Sequence, residues 1–328
     1  MARIFIDGFE SGEHDLWDTE SNATVISSAG LDMDGDYCLD VNAIGEFIQK
    51  IITATGEMYF AFLYRPTTNA SHLNVASFPN GSTDMIQILR HNVTNYLQAH
   101  RGTTLLEIGS IAISVNTTYL IEVYVKISDT VGKVYTKVNG IEDITFDGDT
   151  KVGADTQFNR VNLGYWNTAN GAKGYAYFDN FIMDDADWIG NTNIQAVVPT
   201  GAGTTTAWTP SAGDNYTCVD ELPPSDVDYV STNTVDLTDT YATGDLVGTI
   251  DTVKCVQVQS RCLYDGSPTP TNLKLVVRSG GADYLSGDNL VPVAAKSFAY
   301  LWELNPADAA AWEEADVNAM EIGVKSAA

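Results

Sequence analysis

The chain has 328 residues, more than one ordinary β-sandwich core takes up, so two domains are expected. An apolar fraction of 44%, with 16 Tyr, 11 Phe and 6 Trp, is enough to fill two cores and excludes general disorder. The formal charge of −26 is spread along the chain, with 11 Lys+Arg against 25 Asp+Glu in residues 1–190 and 6 against 18 beyond. Such a surface repels phosphate, so direct nucleic-acid and anionic-membrane partners are disfavoured, and solubility is a simpler reading than a cationic partner.

The N-terminal run Met1-Ala2-Arg3-Ile4-Phe5-Ile6-Asp7-Gly8 has no apolar signal region, and no stretch reaches the ~18 apolar residues of a membrane helix. Synthesis in a cytoplasm without a cleaved export signal is the expectation. Cys38, Cys218, Cys255 and Cys262 show no CxxC or Cys/His spacing, so buried free thiols are expected rather than structural zinc.

In chain order, Ile4-Phe5-Ile6 reads as a first strand and Met58 to Arg65 as an aromatic strand closed by Pro66. Period-2 alternation is clearest over residues 119–127, where Ile121, Val123, Val125 and Ile127 share one face and Glu122, Tyr124 and Lys126 the other. Val134, Thr136 and Val138 continue the pattern into Asn139-Gly140, a dipeptide suited to a hairpin turn with two positive φ angles. Val161, Leu163 and Tyr165 alternate before Asn170-Gly171, and Tyr175 to Met183 supplies a last strand. The first and last of these strands are expected to pair and close a sandwich over residues 1–188.

Residues 189–234 are rich in Thr, Gly and Pro and read as an ordered connector, because Trp208, Tyr216 and Tyr229 are costly to leave in water. Strands resume over residues 235–328: Lys254 to Gln259, then Leu273, Leu275 and Val277, then Phe298, Tyr300 and Trp302. Glu313 to Met320 is a short helix that Gly323 would stop, ahead of a final strand.

Glycoside hydrolysis on a sandwich needs two carboxylates ~5 to 9 Å apart, and no E-x-D-x-E alternation supplies them; Glu10, Glu13 and Asp15 come closest, in a loop. His14, His72, His91 and His100 are dispersed, and no nucleophile stands beside an evident base. No enzyme is expected and no catalytic residue is assigned. Asp32, Asp34 and Asp36 imitate the start of a calcium loop, but Tyr37 and Ala43 occupy positions that an EF-hand gives to Gly and Glu. These three carboxylates are candidate calcium ligands, the alternative being a solvated acidic turn. Trp17, Tyr96 and Trp166 are candidate sugar-stacking rings.

The segments Phe5-Ile6-Asp7-Gly8-Phe9-Glu10, Tyr119-Leu120-Ile121-Glu122-Val123, Val138-Asn139-Gly140 and Tyr177-Phe178-Asp179-Asn180-Phe181, in that order, resemble the concanavalin A-like, laminin-G-like jelly roll. The resulting expectation is an all-β chain, an antiparallel β-sandwich followed by a second, smaller β-domain with one short C-terminal helix. Residues from Phe178 through Val197-Val198-Pro199, Trp208-Thr209-Pro210 and Pro223-Pro224 to Tyr229-Val230-Ser231, with the closing Trp312 to Val324, look like tailed-bacteriophage structural proteins. That resemblance implies a minor, non-enzymatic virion component assembled in the host cytoplasm, on the head exterior or on a tail or fibre. It also implies other virion proteins as partners, a homo-oligomer, and contact with surface glycans. A carbohydrate-binding adhesin module is the alternative, and a glycoside hydrolase is the third reading, behind both.

Overall fold

The computed structural model describes residues 3–43, 45–164, 175–266 and 270–328. Its contacts divide the chain into two compact units, Met1–Ile194 and Gln195–Ala328.

Among its described residues, unit 1 holds fifteen strands: β1 (Arg3–Asp7), β2 (Thr19–Ser21), β3 (Thr24–Ser27), β4 (Tyr37–Val41), β5 (Phe47–Thr55), β6 (Glu57–Pro66), β7 (Leu73–Asn80), β8 (Thr83–Arg90), β9 (Tyr96–Arg101), β10 (Thr104–Ala112), β11 (Tyr119–Lys126), β12 (Gly132–Val138), β13 (Ile141–Gly148), β14 (Phe158–Gly164) and β15 (Ala176–Asp184). They form an antiparallel β-sandwich. One sheet runs β13-β12-β11-β6-β15-β4-β3, with β1 also on β15; the other runs β10-β9-β8-β7-β14-β5-β2.

Between the sheets, Phe60 of β6 lies 4.6 Å from Phe78 of β7, ring centre to ring centre, and 6.2 Å from Phe158 of β14. These contacts place the core between the two layers and so identify which side of each strand faces inward. The first and last strands pair as the sequence implies, Phe5 opposite Met183 and Ile6 opposite Ile182. A buried ion pair between Arg3 Nη1 and Asp184 Oδ2, at 2.8 Å, fastens their ends. Asn139 and Gly140 take φ of 51° and 79°, so β12 and β13 join through the tight turn that this dipeptide favours.

The sequence sets the end of this unit near Trp188, but the chain stays with it to Ile194, whose amide donates to Asn180 Oδ1. The stretch from 189 to 234 is not a separate connector. Pro199–Thr206 is a strand of unit 2, despite its Thr/Gly composition, because it pairs with Thr238–Thr243.

In unit 2 the six-stranded sheet orders Pro199–Thr206, Thr238–Thr243, Glu321–Ala327, Asn272–Ser279 and Ala282–Leu285, with Asn289–Leu290 also on Asn272–Ser279. Val256–Cys262 pairs separately with Lys296–Trp302. Val258, Leu275, Val277, Trp302, Trp312 and Val324 form the core of this unit. The short helix α1 spans Glu314–Ala319 and is capped reciprocally by Glu313 and Asp316. It stops before Gly323, which lies inside the last strand; a Cβ there would come 2.0 Å from the Asp239 carbonyl oxygen, so glycine serves close strand approach and not helix termination.

Cys38 and Cys218 are buried and Cys255 and Cys262 half-buried, and none of the four is in a disulfide. Among the described residues, no helix is long and apolar enough to cross a membrane.

Candidate functional site

Side chains alternate across a strand, so knowing the core side of the seven-stranded sheet fixes what its other face carries. Ile48, Leu163, Ala76, Ile88 and Ala99 are buried and register with one another across β5, β14, β7, β8 and β9 on the core side. The neighbouring row, directed away from the core, reads Gln49, Asn162, Ser77, Gln87 and His100. A second outward row holds Asn74, Leu89 and Gln98. Tyr96 and Arg160 alternate onto the same face from β9 and β14.

This face is polar but withdrawn from water. Gln49 Nε2 donates to Asn162 Oδ1 at 2.7 Å, and Asn162 Nδ2 donates to Ser77 Oγ at 2.9 Å, so one end of the row is internally satisfied. The middle is not. Asn74 is 1% exposed, yet neither its Nδ2 nor its Oδ1 meets a partner. His100 is 8% exposed; its Nε2 lies 3.2 Å from Gln98 Oε1, and its Nδ1 has no partner. Leaving a buried polar group unmet costs roughly 1 to 3 kcal/mol, and such groups call for an explanation in a binding or catalytic role.

The histidines, dispersed in sequence, converge here. The rings of His72 and His91 meet edge to face, with centres 4.4 Å apart, and His72 is within electrostatic reach of His100. Burial, followed by the neighbouring imidazole, pushes both His72 and His100 below the ordinary histidine value; the Thr103 backbone partly opposes this at His100. Both rings are therefore neutral at pH 7.

Of the stacking rings expected from sequence, Tyr96 lies on this face. Trp17 does not: it is 6% exposed, packs against Phe5, Phe9 and Phe181, and donates through Nε1 to Asp7 Oδ2 at 2.8 Å. Trp166 lies outside the described residues. Asn74, Gln87, Gln98 and His100 escape a sequence reading, although the polar residues two apart in Leu97-Gln98-Ala99-His100 are the signal that could have found them.

The carboxylates Asp32, Asp34 and Asp36 are not gathered around a common centre. Asp34 Oδ2 accepts from Asn180 Nδ2 at 2.6 Å, the Asp36 backbone amide donates to Glu10 Oε2 at 2.9 Å, and the Asp32 carbonyl accepts from Thr118 Oγ1 at 2.6 Å. Among the described residues, no group of three or more His, Cys, Asp or Glu side chains is placed to hold a metal ion. A depression of about 420 Å³ beside Arg101, Asp149 and Lys151 has its Arg101 already ion-paired to Asp149.

No family model and no curated protein matches the chain. Among solved structures it is similar to a cellulose-induced protein, Cip1, at 16% identity and a TM-score of 0.45, over 58% of this chain and 100% of that one. It is also similar to the alginate lyase Aly36B, here as a mutant in complex with alginate tetrasaccharide, at 12% identity and a TM-score of 0.36, over 52% of this chain and 86% of that one. A Trypanosoma rangeli sialidase matches at 10% identity and a TM-score of 0.36, over 44% of this chain and 25% of that one. Unit 1 has an antiparallel β-sandwich fold. Two of these three are enzymes by name, an alginate lyase and a sialidase, which stands against the expectation of a non-enzyme.

Proposed function

We propose that unit 1 is a glycan-recognition domain and that the outward face of the seven-stranded sheet is where the sugar docks. The observation that carries this reading is Asn74, an amide buried on a sheet face directed away from the core with neither end hydrogen-bonded. A sugar ring presents adjacent hydroxyls that both donate and accept, which is the complement of a row of amides, a serine and an imidazole. Glycan-array binding by the wild type and by Asn74→Ala tests it. Truncation removes an unmet amide, so stability should hold or rise while sugar binding drops by about tenfold or more. Undiminished binding by a folded Asn74→Ala protein would sink the proposal.

A second reading, cleavage of the bound glycan, is favoured by His100 alone. A neutral imidazole with one nitrogen held by Gln98 and the other unpartnered has the form of a general acid or base. New chain ends released from a bound polysaccharide, and lost with His100→Ala, would support it.

The setting we infer is a tailed-phage particle, with unit 2 attaching to capsid or tail proteins and the chain working as a homo-oligomer. Support comes from the sequence of residues 178–231 and 312–324. Mass spectrometry of purified particles is the test, and absence of the chain from intact particles would refute this setting.

A further inference from the structure

We infer that this face selects glycans bearing carboxylates, and that His72 and His100 create the preference, so that binding tightens on acidification. The inference rests on the glycan reading above and adds the charge class of the ligand and the response to pH.

Three of the chain's four histidines gather at one face of one sheet, in a protein with only 17 Lys and Arg against 43 acidic residues. An anionic polymer is repelled by most of such a surface. The two outward rows, Gln49, Asn162, Ser77, Gln87, His100 and Asn74, Leu89, Gln98, hold no carboxylate.

Arg160 stands two residues from Asn162 on β14, its Nε without a partner. Asp84, paired with Pro79, lies at that same end of the face, away from His72 and His91. Lys50 of β5 turns to the Leu16 carbonyl, and Arg90 of β8 turns to the Ile113 carbonyl and to Asn69 and Asn95. Arg101 of β9 pairs with Asp149, and Glu107 of β10 accepts from the Thr145 amide. His100 stands on β9 two residues from Gln98, which registers through Leu89 with Asn74.

Partly buried and close to a neighbouring imidazole, His72 and His100 resist protonation until an anion compensates them. A bound carboxylate raises their proton affinity above that of the free protein, so binding takes up protons and the affinity grows as pH falls, by up to about tenfold per pH unit for each proton taken up. A neutral sugar in the same place gains nothing from acidification.

Isothermal titration calorimetry on the full chain at pH 7.5 and 5.5 tests the inference. The probes are oligomers of galacturonate, mannuronate and glucuronate with their neutral methyl esters, and sialyllactose with lactose. The acidic carboxyls stay ionised over this range, since their pKa lies near ~4. At least one acidic probe should bind several-fold more tightly at pH 5.5, with its neutral counterpart unchanged, and the response should flatten in His72→Asn and His100→Asn proteins whose circular dichroism is native. Equal binding of acidic and neutral probes without a pH response overturns the inference and leaves the glycan reading standing. If neither acidic nor neutral probes bind, both fall.

Discussion

Asp179 gives the sharpest prediction outside the face. Its carboxylate is fully buried on β15; Oδ1 accepts from the Asn180 amide at 2.7 Å, while Oδ2 has no partner. Burial first, then the negative charges of Glu10, Asp34 and Asp7, push its pKa up to about 8, against about 4 in an unfolded chain. The folded form therefore holds a proton that the unfolded form has lost, and stability falls as pH rises from about 4 to about 8. At ~1.4 kcal/mol per unit, four units amount to a loss on the order of 5 kcal/mol at pH 8. Asp179→Asn keeps the acceptor for Asn180 and removes the charge. It should therefore match the wild type near pH 4.5 and exceed it by several kcal/mol at pH 8.5. Urea unfolding of the full chain, read at the transition of unit 1 across this range, measures the difference. If the gap between variant and wild type fails to widen with pH, the burial argument is wrong.

Two other substitutions test the packing. Trp17→Ala opens a cavity among Phe5, Phe9 and Phe181 and strips Asp7 of a donor, so thermal unfolding should report a loss of ~3 to 5 kcal/mol in unit 1. Gly323→Ala drives a methyl group into the Asp239 carbonyl, and unit 2 should lose ~1 to 3 kcal/mol, measured by the same unfolding experiment, with unit 1 unaffected.

Much of the scaffold was legible because its signals are local. The alternation through Ile121, Val123 and Val125, the Asn139-Gly140 turn and the Glu313 cap each act within a few residues, and each forms its element. The closing pair of strands followed from their bracketing positions. The site was hidden for the opposite reason. Strands β7 and β8 are buried on both faces, so Asn74, Ser77 and Gln87 interrupt runs that otherwise read as core, and their alignment with His100 exists only across the ladder. Trp17 misled because Asp15 and Asp18 beside it suggest solvent, whereas its cage comes from residues 5, 9 and 181. The strand Pro199–Thr206 has almost no apolar side chains to announce it; Gly203, where a Cβ would come 2.4 Å from the Thr240 carbonyl group, needs its missing side chain to approach its neighbour.

The latch between Arg3 and Asp184 also has a mechanical meaning. Because β1 and β15 run antiparallel with these two residues opposite each other, tension applied across unit 1 through its two ends peels the strands apart one hydrogen bond at a time instead of shearing them together. Opening starts at that buried ion pair, whose single-sided loss costs ~3 to 5 kcal/mol. Under such tension the first rupture would therefore be at Arg3, well before the polar face of the opposite sheet is disturbed.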